Sequence, residues 1–89
     1  MYLHVGNDIV VRSEDIIGVF DIENTTINKQ GRKFLNIAQR EGRVVYATQD
    51  MPKSYVVICG KDGVSVYISS ISPATLLKRS RSRSDFMID

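Results

Sequence analysis

At 89 residues, 43% of them hydrophobic, the chain has the length of a single domain that hides only ~60–65% of the surface its unfolded form exposes. One cysteine and one histidine exclude a disulfide or metal framework as the staple for so thin a core, and self-association is the natural alternative. The absence of a basic-then-apolar leader and of any apolar run near the ~20 residues of a membrane span points to a soluble, cytoplasmic protein with no membrane partner.

The net charge of +2 conceals a split. Residues 1–26 set Arg12 against Asp8, Glu14, Asp15, Asp21 and Glu23, a local balance of −4. Residues 27–46 set Lys29, Arg32, Lys33, Arg40 and Arg43 against Glu41, a balance of +4. Residues 47–77 are neutral, and the segment from Lys78 adds +2. The basic character thus sits on one central segment and on the C-terminal tail.

In chain order, Tyr2 to Val5 and Ile9 to Arg12 predict two short strands around Gly6-Asn7-Asp8, a turn cluster that tolerates positive φ. Ser13-Glu14-Asp15 interrupts the pattern. Ile16, Ile17, Val19, Phe20 and Ile22 then predict a third, buried strand, with Gly18 marking a bulge or a close backbone approach. Asn24, Thr25 or Thr26 is the expected N-cap of a long amphipathic helix. At 100° per residue, Ile27, Gly31, Phe34, Leu35 and Ala38 form its core stripe. Lys29, Arg32, Lys33, Asn36 and Arg40 collect on the other side without a carboxylate. Gly42 is placed to end the helix at positive φ, and Val44 to Ala47 predict the next strand.

Gln49 to Lys53 reads as a loop, since Pro52 has no amide proton for a central ladder. Tyr55 to Cys59 and Val64 to Ile68 predict a hairpin across Gly60-Lys61-Asp62-Gly63, with Cys59 packed as a small hydrophobe. Ser72 followed by Pro73 is an N-cap and N1 pair, which starts a short helix to about Arg79 with Leu76 and Leu77 docked. Residues 80–89 alternate Ser and Arg and then turn acidic, which predicts a disordered basic tail. The expected fold is α+β: a mostly antiparallel sheet of about five strands, one long amphipathic helix and a short C-terminal helix, forming one domain over residues 1–79.

Catalytic chemistry needs a nucleophile with its base, a paired carboxylate site, a metal cluster or a phosphate loop, and the sequence supplies none of these. His4 has no companion ligand. Gly60 to Gly63 lacks the Lys-Ser/Thr pair of a nucleotide loop, and Asp8, Glu14 and Asp15 lack the spacing of a calcium loop. No enzyme activity, cofactor or metal is expected.

The basic stripe has three readings: a solvated surface, a contact for a phosphate backbone, or a contact for the acidic first quarter of a neighbouring subunit, at Asp15, Asp21 or Glu23. Lys29 and Lys33 repel at i, i+4, a cost that an anionic partner would offset. Lys53 and the tail cations Lys78, Arg79, Arg81 and Arg83 are further candidates for phosphate. Four cations bind duplex DNA weakly alone, but repeated around an oligomer they suffice.

Met1-Tyr2-Leu3-His4-Val5-Gly6, Ile9-Val10, Arg40-Glu41-Gly42 leading to Ala47-Thr48, and Ser72-Pro73-Ala74-Thr75-Leu76 together resemble the small bacterial RemA/RemB family. The opening looks closest to its RemB (YaaB) branch, and the resemblance covers about residues 1–79. It implies a cytoplasmic DNA-binding regulator of extracellular-matrix and biofilm genes that forms ring-like homo-oligomers, with a paralogous family member as a second candidate subunit. One departure stands out: where the RemA branch has an arginine-rich DNA-contacting loop, this chain has Gln49 to Ser54 with Lys53 as its one cation. The same branch places an arginine before the third strand, where Asp15 stands here. DNA contact then shifts to the helix face and the tail, and the alternative is a structural assembly protein that binds another protein and not DNA.

Overall fold

A computed structural model describes residues 2–22 and 29–79. The elements run β1 (Tyr2–Gly6), β2 (Ile9–Arg12), a 3-10 turn (Ser13–Asp15), β3 (Ile16–Asp21), α1 (Lys29–Arg40), β4 (Val44–Tyr46), β5 (Ser54–Gly60), β6 (Gly63–Ser69) and α2 (residues 73–79). The α+β class and the presence of two helices match the sequence reading, but the long helix is described only over Lys29–Arg40. In the short one Leu76 is buried, whereas Leu77, expected to dock with it, is exposed because it falls on the side of α2 turned away from the core. The single sheet of about five strands is corrected to two sheets: the antiparallel hairpin β1–β2, and a four-stranded sheet ordered β3-β5-β6-β4. The turn at Ser13–Asp15 is the reason. It redirects the chain after β2, so the hairpin packs across a face of the larger sheet instead of extending its edge. The larger sheet is also mixed, because β4 pairs parallel to β6 after the crossover through α1.

Two clusters of apolar side chains lie on opposite faces of this sheet. On one face Leu3, Val5 and Val11 of the hairpin meet Val56, Ala47 and Leu76 of α2. On the other, Ala38, Phe34 and Leu35 of α1 meet Tyr55, Val57, Val66 and Ile68. Strand β5 serves both, since its side chains alternate between faces with period two. Two buried serines complete the hairpin side. Ser69 Oγ donates to the Val5 carbonyl at 2.6 Å and Ser54 Oγ to the Ile71 carbonyl at 2.7 Å, which satisfies hydroxyls that would otherwise be costly to bury.

Local chemistry explains the element ends. The amides of Gly42 and Arg43 donate to the carbonyls of Gln39 and Ala38, and Gly42 takes φ 71°, a Schellman stop for α1. Ser72 Oγ accepts the Thr75 amide at 3.2 Å, the N-cap expected for α2. Register slips between Ile16 and Gly18, the expected bulge. The terminal strand ends differ more. Cys59 is exposed rather than packed, because β5 and β6 extend past both covering layers toward their turn. Ala47 lies just beyond β4 but is fully buried, its amide bonded to the Ile68 carbonyl at 2.8 Å. Ile27, the expected N-caps Asn24, Thr25 and Thr26, and the tail from residue 80 fall outside the described residues.

Gly6 is the tightest backbone approach. A Cβ there would lie 2.1 Å from the Ala47 carbonyl oxygen, at φ 149°. Gly42 also has positive φ but nothing within 4 Å of a Cβ. Gly6→Ala should therefore cost roughly 2–4 kcal/mol, a melting temperature lower by ~8 °C or more, while Gly42→Ala costs about 1–2 kcal/mol. Thermal unfolding of the two variants checks this, and an equal or milder loss at Gly6 would show that the hairpin does not seat against Ala47.

Candidate nucleic-acid interface

Helix α1 lies on the sheet through Phe34, Leu35 and Ala38, which turns the opposite row to solvent. Lys29, Arg32, Lys33, Asn36 and Arg40 are all exposed, and among the described residues none of these four cations forms an ion pair. Asn36, Gln39 and Arg40 line a shallow depression at the C-terminal half of the row. The fifth cation of the segment is used differently. Arg43 Nε donates to Glu41 at 2.8 Å and its Nη1 donates to the Val64 carbonyl at 3.1 Å, so it neutralises the one nearby carboxylate and ties the helix exit to β6. The face that remains outward is of one sign.

The other candidate cations do not join this row. Lys53 is exposed in the loop before β5, its backbone fixed at the sheet end by the Ile22 amide, which donates to its carbonyl, and by its own amide, which donates to the Ser69 carbonyl. Lys78 and Arg79 are exposed on α2, which docks through Leu76 on the hairpin side. The sheet thus separates them from α1. Arg81, Arg83 and Glu23 lie outside the described residues.

The acidic candidates Asp15 and Asp21 are half-buried and bracket β3, one just before its first residue and one at its last. Glu14 is paired within the subunit. Arg12 donates to its carboxylate, a hydrogen bond that, with the attraction of the guanidinium, holds the Glu14 carboxyl below the ordinary carboxylate value. The pair is fully exposed, so water and salt screen it. His4 is exposed, with its ring against the Asn7 carbonyl inside the β1–β2 turn.

An open groove of about 750 Å³ between α1 and β3 was not foreseen from the sequence. Ile17, Phe20, Phe34, Tyr55 and Val57 line it, and Phe20 stacks on Tyr55 with ring centroids 5.1 Å apart. Its one sequence signal is a surplus of apolar residues, since Ile17 and Phe20 exceed what one buried face of an edge strand needs. Among the described residues no group of three His, Cys, Asp or Glu could hold a metal ion, and no helix is long and apolar enough to cross a membrane.

A family model described as "RemA-like: Extracellular matrix regulatory protein A-like" matches residues 2–79. The chain is 35% identical over 81 residues to the "Extracellular matrix regulatory protein B" of Bacillus subtilis (strain 168), with 91% of each chain covered. Both agree with the resemblance carried by the N-terminal hexapeptide and the Ser72-Pro73 helix start.

The basic face conflicts with the intrinsic electrostatics of its helix. The first turn of α1 contains no acid, and Lys29 sits there against the positive end of the helix dipole and four residues before Lys33. Lys29→Glu should raise stability by ~0.5–1 kcal/mol in denaturant unfolding and weaken anion binding measured in parallel. A loss of stability would mean that Lys29 serves the fold.

Proposed function

The chain belongs to the RemA-like family, and on that premise we propose that it is a DNA-binding transcriptional regulator of extracellular-matrix and biofilm genes that acts as a ring-like homo-oligomer. The observation that carries the reading is the exposed row Lys29, Arg32, Lys33 and Arg40, unpaired among the described residues, with the hydrogen-bonding amide of Asn36 at its centre. Phosphate attraction supplies most non-specific affinity, and a flat array of cations on a rigid helix is the simplest element for it. A single subunit offers too few contacts. Two or three neighbours in an oligomer, each presenting one helix, reach the number that holds a duplex. The loop after Thr48 contributes only Lys53, so the helix takes the role, joined by Lys78 and Arg79 where the opposite face reaches the same duplex and by the tail cations Arg81 and Arg83.

The groove beside β3 favours a second reading, a structural oligomer that binds another protein and not DNA. Mobility shifts separate the two. With ~6–10 phosphate contacts, affinity should fall ~10³–10⁵-fold between about 50 and 200 mM salt. Arg32→Glu with Lys33→Glu should abolish the shift and leave the oligomer intact by light scattering. An intact oligomer with no shift in the wild-type protein at low salt would support the second reading, and undiminished binding in the double variant would return the basic row to a solvated surface.

A further inference from the structure

The sheet presents two outer edges, β3 and β4, beside which no strand lies among the described residues. We propose that these edges dock onto each other in successive copies of this chain, β3 of one subunit adding in parallel beside β4 of the next, so that the sheet continues from subunit to subunit. The proposal rests on the homo-oligomer reading and supplies its interface.

Strand direction supports it. Both β3 and β4 run from the Gly60–Gly63 turn toward the end of the sheet marked by Ser54 and Ser69. A rotation about an axis along the strands therefore brings the β4 edge of one copy beside the β3 edge of another, parallel and without turning a subunit over. Such a contact joins two different surfaces, and repeated rotation can close it into a ring. Pairing β3 with β3 would instead be antiparallel and stop at a dimer.

The side chains match across the same faces. Phe20, paired in register with Tyr55, lies on the α1 side of the sheet, and Tyr46, paired with Ile68, lies on that side too. They are 42% and 58% exposed, large for aromatic rings in strands. Val19 and Val45 occupy the hairpin side, opposite Val56 and Tyr67. Lengths also agree: beyond its bulge β3 offers residues 18–21, against the three residues of β4. Neither strand carries the lysine or proline with which isolated edges are blunted. Charge is complementary at the entry ends as well, since Asp15 precedes β3 whereas the chain approaches β4 from Arg40.

The test is oxidation of a Phe20→Cys, Tyr46→Cys protein in a Cys59→Ser background, read on a denaturing, non-reducing gel. The double variant should give a ladder of covalent multimers, and each single variant should stay monomeric on the gel. Dimers from Phe20→Cys alone would overturn the proposal in favour of β3–β3 pairing. A double variant that sediments as an oligomer yet forms no ladder would overturn the edge contact while leaving the oligomer reading standing, whereas a wild-type monomer at micromolar concentration would end both. Because Phe20 also stacks on Tyr55, hydrogen exchange on the wild-type protein gives a readout without substitution. Residues 18–21 and 44–46 should gain protection together on assembly, and fast exchange at both edges of an assembled oligomer would refute the pairing.

Discussion

Strand β5 is the element on which the rest of the molecule depends. Ser54, Tyr55, Val56 and Val57 are all buried in succession, a run possible only for a strand covered on both faces. Its alternation sends Tyr55 and Val57 toward α1 and Val56 toward the hairpin and α2. Each cluster is small, and neither covering layer could be stable without the sheet that both share. The two layers are thereby coupled: what weakens the fit of the hairpin at Gly6 and Ala47 also weakens the sheet that holds the basic helix.

The same arrangement governs where charge can act. The first quarter of the chain and the central segment have opposite sign, and among the described residues each arginine ion pair stays within its own segment. Arg12 engages Glu14 and Arg43 engages Glu41 within two residues in sequence, which uses local carboxylates and leaves the α1 row outward. Asp15 and Asp21 end up at the ends of an edge strand. If subunits join along the sheet edges, every α1 lies on the same side of the continuing sheet, and the basic rows line up. Assembly is then what turns four cations per subunit into a surface long enough for a duplex, and the hairpin with α2 forms the opposite surface.

Much of this was legible in the residues. Periodicity placed Phe34, Leu35 and Ala38 inward and the cations outward, because a helix face is a local property. The turns at Gly6-Asn7, Gly42 and Gly60–Gly63 and the start of α2 followed from residues whose conformational preferences are strong in isolation. What was hidden depends on tertiary placement. Alternation in Leu3, Val5 and Val11 reveals a buried face but not which surface covers it, so the hairpin read as part of one sheet. The parallel placement of β4 follows from the path of the crossover, which no local pattern encodes. Ser54 and Ser69 lie just outside the apolar runs Tyr55 to Cys59 and Val64 to Ile68, and only the carbonyls of Ile71 and Val5, brought over them by the tertiary fold, make their burial favourable. The separation of Lys78 and Arg79 from α1 by the sheet, and the groove beside Phe20, likewise exist only once the layers are stacked.

The proposed DNA binding is a property of the proposed assembly rather than of the single domain. Fluorescence anisotropy of a labelled duplex, titrated through the concentration range in which sedimentation shows subunits associating, tests this directly. A sigmoidal isotherm whose midpoint follows the assembly transition is the expected result. Hyperbolic binding at full affinity, at concentrations where the protein sediments as a monomer, would contradict it.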